Sequence, residues 1–391
     1  MGRSLKLHPH FERVPGSPRH AFLRSEPDQI LELTPDALVV LERFATPARV
    51  DEVLPGASAE MLAFIETLVE LELLVGPELQ PPPYGWEAPL QPMFRLPVWP
   101  NVLPGSSPPI VVLGARFDDA TSSAYPRGAR DGPTALRRAG SSFPLRVRVG
   151  VEAAGLPHVE LGERMLVGAV MADAGDLVTD PGCAWPVFAA ALEARMRLLG
   201  ERARCLLLGG DHSVTLPALR ALAEVHPGGF GVLHFDAHGD LGPVDEPATV
   251  THANVMRHAL ALPQVAKLVQ VGVRGFQALP PERDAYRRFT AADVERDPES
   301  IVAAVDPQLP WYVSVDVDVL DPSVAPGTGA PEPDGLRLRQ LREALRACLL
   351  GRRVVGADLV ECHDQPGDRL TGRVGAQIVL ELADLMDRGR P

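Results

Sequence analysis

The sequence predicts an α/β protein: a three-layer α/β/α domain with a mainly parallel sheet, preceded by a small winged-helix α+β domain. Three observations predict this. Short apolar runs alternate with helical stretches after Pro109, turn and helix-start signals fill the first 80 residues, and prolines crowd the segment between. The predicted boundaries are therefore a small domain at 1–80, a proline-rich linker at 81–108 and a large domain at 109–391.

Composition narrows the functional classes. The chain has 391 residues, 46% of them hydrophobic, and a net charge of -13, whereas proteins that bind nucleic-acid backbones usually carry a basic surface. We therefore expect no nucleic-acid partner. Four scattered cysteines without CxxC spacing fit reduced thiols, and no apolar run reaches the ~18 residues of a membrane span. The expected location is the cytoplasm, with no membrane partner.

The first 80 residues have the outline of a winged helix. Apolar pieces at 11–14 and 21–23 flank a proline-glycine turn, which predicts a hairpin. Thr34 followed by Pro35 predicts one helix start and Ser58 predicts another, with a short helix at 50–54 between them. Winged helices often bind DNA, but this segment holds seven Lys or Arg against thirteen Asp or Glu, a net charge of -6. DNA binding is therefore disfavoured.

The large domain is predicted from its alternation of elements. Strands are predicted at 110–113, 165–170, 205–208, 231–235, 268–273, 311–319 and 354–360. Helices are predicted at 134–139, 185–199, 216–225, 252–260 and 336–349. This order favours a parallel sheet covered on both faces, with its site at the carboxyl ends of the strands.

Ionisable residues follow three of these strands. They are His212 in GGDHS, Asp236, His238 and Asp240 in DAHGD, and Asp316 and Asp318 in the run SVDVDVLDP. A single His or Asp at a strand end is usually a turn former or a hydrogen-bond partner. Here the spacing of two residues puts several on one face, and buried carboxylates side by side repel unless a cation lies between them. Two imidazoles and four carboxylates suit a pair of divalent ions such as Mn²⁺.

The N-terminal segment resembles the PqqD-like peptide-recognition domains, also called RiPP recognition elements. The resemblance is carried by LHPHFERVPGSPRHAFL, ILELTPDALVVLERF, VDEVL and FIETLVELELLVG, and covers most of residues 5–76. It implies that a precursor peptide binds here through its leader, adding a strand to the hairpin edge and packing against the last long helix. The alternative is a packing or oligomerisation module.

The large domain resembles the ureohydrolases, the arginase and agmatinase family. GGDHS, DAHGD and SVDVDVLDPSVAPGTGAPEP follow the family's signatures, and RGARDGP at 127–133 and DAGD at 173–176 match earlier segments. The resemblance implies two Mn²⁺ ions per chain. It assigns Asp236 and Asp316 as bridging ligands. It gives His212 and Asp240 to one ion, and His238 and Asp318 to the other.

The resemblance also implies the chemistry. A hydroxide between the ions would attack a guanidinium carbon, and the products would be urea and an amine. Asp240 would orient the hydroxide, His252 would pass a proton to the leaving amine, and Glu361 would hold the guanidinium. His252 has an alternative role as a helix-cap or packing residue, and the sequence after Glu361 departs from the family pattern. His234 is interpreted as structural or supporting, and His363 is unassigned.

Departures from the family pattern bear on the substrate. Gly239 and Ala330 replace hydroxyl residues, and the loop 241–250 lacks the Asn and Ser that hold the free amino acid in arginases. Our first hypothesis is therefore a peptide arginase that converts arginine side chains of a ribosomally made precursor to ornithine. The alternative is a small-molecule ureohydrolase of the agmatinase, guanidinobutyrase or arginase type. A third hypothesis, an inactive binding module, is disfavoured because all six ligand positions keep competent side chains. A homo-oligomer, trimer or hexamer, is expected from the resemblance.

Overall fold

A computed structural model describes residues 4–7, 11–13, 20–23, 29–71, 73–76, 84–99, 109–120, 126–143, 154–180, 182–200, 203–244 and 250–389. The chain divides into two compact units, Met1–Gly85 and Trp86–Pro391. None of the helices in these described ranges has both the length and the apolarity needed to cross a membrane.

The described residues of the first unit form six short strands and three helices. The strands are β1 (Ser4–Leu7), β2 (Phe11–Arg13), β3 (His20–Leu23), β4 (Gln29–Glu32), β5 (Ala48–Arg49) and β6 (Leu74–Val75). The helices are α1 (Pro35–Glu42), α2 (Val50–Val53) and α3 (Ala59–Glu70). β2, β3 and β4 form one antiparallel sheet, and β1 pairs with β5 and β6 in another.

The two helix starts predicted at Thr34 and Ser58 are the starts of α1 and α3. Thr34 Oγ1 accepts a hydrogen bond from the backbone N–H of Ala37, and Ser58 Oγ accepts one from Met61, so both predicted caps are formed. The hairpin and the three helices are present, while the predicted turn at 15–18 lies outside the described residues. The winged-helix assignment itself stays a prediction.

The second unit is built on a nine-stranded sheet. The strands of this sheet are β7 (Tyr84–Glu87), β8 (Ile110–Arg116), β11 (Met171–Thr179), β12 (Arg204–Leu208), β13 (Phe230–Phe235), β14 (Val265–Val273), β15 (Tyr286–Thr290), β16 (Trp311–Asp316) and β17 (Val354–Val360). Two further strands, β9 (Ala154–His158) and β10 (Glu163–Val167), are separate from it. The order in the sheet is β15-β14-β13-β16-β17-β12-β8-β11-β7, and the pairs from β15 through β11 are parallel. β9 and β10 form the antiparallel hairpin.

Helices pack in two groups around this sheet. They are α4 (Gly132–Gly140), α5 (Trp185–Gly200), α6 (Thr215–Val225), α7 (Val255–Leu260), α8 (Ala291–Arg296), α9 (Pro298–Ala304), α10 (Leu338–Leu349) and α11 (Leu370–Arg388). In the first group, α6 contacts both α5 and α7. In the second group, α11 contacts α4 and α10, and α10 also contacts α8 and α9. Every residue of β13, β16 and β17 is buried, as expected for parallel strands that are covered on both faces.

The segment 84–99 differs from the predicted linker. Its first residues form β7 at the edge of the sheet, and Met93 and Phe94 are buried in the core of the second unit. The backbone N–H of Met93 also donates to Oδ2 of Asp173 at 2.7 Å. The prolines predict an exposed segment, but the side chains of Met93, Phe94 and Leu96 between them are part of the hydrophobic core. Residues 81–83 and 100–108 lie outside the described ranges.

A buried ion pair explains one of the early sequence motifs. Arg137 on α4 donates from Nε and Nη2 to both carboxylate oxygens of Asp173, at 2.8 and 2.9 Å, and also pairs with Asp176. Burial opposes the charge of Arg137, yet the two carboxylates outweigh it and raise its pKa. The motif at 173–176 lies in β11, and its two aspartates connect this strand to α4 through Arg137.

Candidate metal centre and active site

The predicted ligands lie at the carboxyl ends of neighbouring strands. β13 and β16 are adjacent, and β17 separates β16 from β12. His212 follows β12 in a short 3-10 helix, Asp236 follows β13, and Asp316 ends β16. Glu361 directly follows β17. The sheet therefore gathers residues that are far apart in sequence at one edge, as the parallel order predicts.

His212 is the centre of one half of the cluster. Its Nδ1 lies 3.2 Å from Oδ2 of Asp236 and 3.0 Å from Oδ2 of Asp240. The same nitrogen is 3.3 Å from Oδ2 of Asp316. Three carboxylates thus converge on one imidazole nitrogen.

His238 is the centre of the other half. Its Nδ1 lies 2.9 Å from Oδ2 of Asp318 and 3.5 Å from Oδ1 of Asp236. Asp236 therefore faces both halves, which is the position that a bridging ligand requires. All six predicted ligands are brought together.

The chemistry of these groups fits divalent cations. Nδ1 of His212 and Oδ2 of Asp236 are buried and make no hydrogen bond within the described ranges. Burial, with the charges of Asp318 and Asp236, raises the pKa of Asp316 well above its usual range, and burial with Asp236 raises that of Asp318 to about 6. Cations would offset this repulsion, and a mixed nitrogen and oxygen donor set suits ions such as Mn²⁺.

His234 also lies within reach of the cluster. The Nε2 amide of Gln270 donates to the carbonyl of Gly239 at 2.6 Å, which fixes the orientation of that amide. The same amide lies 2.8 Å from Nδ1 of His234, so this ring nitrogen accepts. A neutral ring then keeps its proton on Nε2, 2.8 Å from Oδ2 of Asp236. Neither of these two atoms makes a hydrogen bond within the described ranges, so the interpretation of His234 as a structural or supporting residue stays a prediction.

Two site residues have unusual backbone conformations. Asp240 and Glu361 have φ values of 48° and 58°, in the left-handed region that non-glycine residues rarely adopt. Such conformations cost about 1–3 kcal/mol each and persist where the surroundings hold them, often in active sites. Glu361 Oε1 accepts the backbone N–H of His212 at 2.8 Å, which links the end of β17 to the metal centre.

His252 lies beside Glu361. Its Nδ1 is 3.6 Å from Glu361 Oε1, and its side chain is largely buried in the pocket wall. Burial alone would lower the pKa of His252, but Glu361 outweighs this effect and raises it. The helix cap at this position is formed by Thr251 and Asn254, whose Oδ1 accepts the N–H of Thr251 at 2.8 Å. The cap role considered for His252 is therefore filled by its neighbours.

A pocket of about 320 Å³ opens onto the cluster. It is lined by Pro126, His238, Asp240, Leu241, Gly242, Pro243, His252, Ala253, Gln277, Ala278, Leu279, Asp316, Asp318, Thr328, Gly329, Ala330 and Glu361. All of its acids belong to the predicted catalytic or ligand set, and no Lys or Arg from the described part of the chain lines it. Residues 245–249 of the loop singled out from the sequence lie outside the described ranges.

Sequence reasoning missed several buried polar residues near the site. They are Asp211, Gln270, Ser314 and Asp358. Asp211 accepts the backbone N–H of Ala120 at 3.1 Å, and burial together with nearby negative charge raises its pKa to about 7. Ser314 lies two residues before Asp316 and so shares its strand face, which is the signal that could have drawn attention to it.

His363, left unassigned from sequence, is a buried packing residue behind the pocket wall. Its backbone N–H donates to the carbonyl of Gly327 at 2.8 Å. A Cβ on Gly329 would lie 3.3 Å from Cε1 of its ring, and a Cβ on Gly128 would lie 2.7 Å from Nδ1. Two glycine-containing loops thus pack closely against this ring.

The parallel sheet carries at its carboxyl edge a histidine-aspartate cluster that is consistent with metal binding. The chain belongs to the Arginase family, whose model matches residues 108–384. The predicted ureohydrolase resemblance is confirmed. The chain is therefore a hydrolase that acts on guanidino groups, and its family is one of binuclear metal enzymes.

Known relatives support the same conclusion. Proclavaminate amidinohydrolase of Streptomyces clavuligerus is 35% identical over 290 residues, which span 70% of this chain and 88% of that protein. Agmatinase of Proteus mirabilis is 36% identical over 287 residues, 70% of this chain and 85% of that protein. The solved structure of the Streptomyces enzyme superimposes with a TM-score of 0.64 at 31% identity, covering 77% of this chain and 98% of the other. The family model does not match the first 107 residues of the chain.

Proposed function

We propose that this protein is a ureohydrolase of the agmatinase type, acting on a small guanidino compound that lacks a carboxylate at its far end. The pocket carries the proposal: its described lining contains no Lys or Arg that could pair with a carboxylate. A carboxylate buried there would lose hydration without compensation. The agmatinases among the relatives support this choice.

The proposed metal ligands are those predicted from sequence. His212 and Asp240 would hold one ion and His238 and Asp318 the other, with Asp236 and Asp316 shared. When bound, two divalent cations supply a nucleophilic hydroxide near neutral pH, because they lower the pKa of coordinated water. Mn²⁺ is the proposed metal, on the strength of the mixed donor set.

The protein side chains would complete the reaction. The carboxylate of Glu361 faces the pocket and would accept the N–H groups of the guanidinium. Asp240 would orient the nucleophile and take its proton, and His252 would protonate the departing amine. The raised pKa of His252 keeps it protonated at a higher pH than usual. Its capacity to donate is therefore lost only as the pH rises through that raised value.

A substrate panel tests the proposal. Urea release should be compared for agmatine, 4-guanidinobutyrate, L-arginine and arginine blocked as Nα-acetyl N-methylamide, with Mn²⁺ present. We expect kcat/KM for agmatine to exceed that for both carboxylates by about tenfold or more, because an unpaired carboxylate would cost more than about 1.4 kcal/mol. Equal or faster turnover of free arginine or guanidinobutyrate would contradict the proposal.

A second candidate is a peptide arginase. A lining without Lys or Arg would also admit an arginine whose amino and carboxyl groups are in peptide bonds, and residues 1–85 form a separate unit outside the family match. In this proposal the first unit binds the leader of a precursor peptide, with the peptide adding a strand to the sheet of β2, β3 and β4. Faster turnover of blocked arginine than of agmatine in the panel would favour this candidate.

Truncation tests the role of the first unit. A variant that lacks residues 1–80 keeps β7, which belongs to the sheet, and Met93 and Phe94, which belong to the core. If the first unit binds leaders, truncation should weaken binding of a precursor peptide in calorimetry and slow its conversion from arginine to ornithine by mass spectrometry. Turnover of agmatine and the Mn²⁺ content should stay near those of the full chain. Loss of metal on truncation would instead identify the unit as a packing element.

A further inference from the structure

Asp358 is a fully buried carboxylate that is not among the predicted metal ligands. It lies on β17, and three hydroxyl groups donate to it. Thr215 and Tyr312 both donate to Oδ2 at 2.8 Å, and Ser314 donates to Oδ1 at 2.6 Å. A buried carboxylate with three donors is satisfied without a cation, so Asp358 itself needs no metal.

Ser314 connects this carboxylate to the metal centre. Its Oγ lies 2.9 Å from Nε2 of His212. A serine hydroxyl has one proton, and here that proton points to Asp358, because an ionised carboxylate can only accept. The oxygen of Ser314 is therefore left to accept from His212, and the ring hydrogen of His212 must be on Nε2.

The placement of this hydrogen determines what the other ring nitrogen can do. With Nε2 protonated, Nδ1 of neutral His212 carries a lone pair. This atom faces the carboxylates of Asp240 and Asp316 at 3.0 and 3.3 Å and makes no hydrogen bond with the described residues. The lone pair thus points into the place where a cation would be bound.

We propose that Asp358 is a positioning residue for the metal centre, which acts through Ser314 to fix the orientation and tautomer of His212. The chain of contacts is Asp358 Oδ1, Ser314 Oγ and His212 Nε2, and it is entirely buried. Outer partners of this kind hold a ligating imidazole ready for its ion and increase its basicity.

The fold keeps this chain of contacts in register. Ser314 and Asp358 are direct neighbours in the pairing of β16 with β17. Thr215 begins α6 three residues after His212, so its bond to Asp358 also fixes the helix that follows the ligand. Tyr312 lies two residues before Ser314 on the same strand face and holds the other carboxylate oxygen.

Metal binding by matched variants of the full chain tests the proposal. Ser314→Ala removes the connection to His212 but leaves Asp358 two hydroxyl donors. Tyr312→Phe removes one donor to the same carboxylate without touching His212, and is the control. Each protein is stripped of metal, dialysed against a series of free Mn²⁺ concentrations and assayed for bound manganese.

We expect Ser314→Ala to weaken the binding of at least one ion by about 10–100-fold, the range typical of lost outer partners, and Tyr312→Phe to stay within about threefold of the unmodified chain. Asp358→Asn should weaken binding in the same direction as Ser314→Ala. A variant with both Ser314→Ala and Asp358→Asn should lose no more manganese affinity than the single variant with the larger loss, because both substitutions act through the same chain of contacts. Melting temperatures without metal should be similar for Ser314→Ala and Tyr312→Phe.

Unchanged manganese affinity in Ser314→Ala, or equal losses in Ser314→Ala and Tyr312→Phe, would overturn the proposal. The inference rests on the metal-binding role proposed for His212. Manganese binding by the unmodified chain distinguishes the two failures. If the unmodified chain binds no Mn²⁺, the proposed metal centre fails together with the inference. If the unmodified chain and Ser314→Ala bind Mn²⁺ equally well, only the role of Asp358 is rejected.

Discussion

Asp236→Asn is expected to remove both metal ions and nearly all activity. Oδ1 of Asp236 faces His238 and Oδ2 faces His212, so this carboxylate takes part in both halves of the cluster. An amide keeps the shape but loses the charge and one acceptor oxygen. The fall in kcat/KM should be well beyond the ~100-fold that typically follows loss of an outer partner of a ligand.

The measurements for this variant are manganese content after dialysis and urea release at saturating Mn²⁺. Asp284→Asn is the matched control, because Asp284 is exposed and is not one of the residues that line the pocket. It should retain both ions and full activity. An Asp236→Asn protein with two tightly bound ions would refute the bridging assignment.

Arg137→Met is expected to lower the free energy of unfolding of the second unit by about 3–5 kcal/mol, the usual cost of breaking a buried ion pair on one side. Methionine fills much of the volume but leaves Asp173 and Asp176 without their cation in the core. Asp173 also accepts the N–H of Met93, so the attachment of the segment 84–99 should weaken as well.

The neighbouring Arg138 offers the control for this prediction. It pairs with Asp364, but its side chain is 59% exposed, and exposed pairs contribute about 0–1 kcal/mol. Urea denaturation of metal-free proteins should therefore show a large shift for Arg137→Met and almost none for Arg138→Met. Similar midpoints for the two variants would show that burial of the Arg137 pair does not stabilise the fold.

The clustering of the six candidate ligands could be predicted from the sequence because the information for each motif is local. Asp316 and Asp318 lie two residues apart after an apolar strand, and DAHGD repeats that spacing, so each motif alone predicts side chains on one face. The alternation of strands and helices then predicts that separate motifs meet at one edge of the sheet. All six predicted ligands are found there.

The supporting residues could not be predicted in this way. Ser314 and His212 are 102 positions apart, and Asp358 and Ser314 are 44 apart, so their contacts depend on strand order and register. Likewise, no helix is predicted from the sequence at α11 (Leu370–Arg388). Its Glu381 and Asp384 are polar in sequence but buried, because Arg346 pairs with both. Long-range pairing of this kind leaves no periodic signal.

The amino-acid sequence alone predicts the chemistry: a parallel α/β domain with six candidate ligand side chains at strand ends, in a family that acts on guanidino groups. How those side chains are held depends on the fold. Asp236 lies between two histidines, Asp240 and Glu361 have a left-handed backbone conformation, and the described lining of the pocket over the cluster contains no Lys or Arg. The physical reason is that ligand identity depends on residue type and local spacing. Tautomer, burial and pocket charge depend on which distant residues the fold brings into contact.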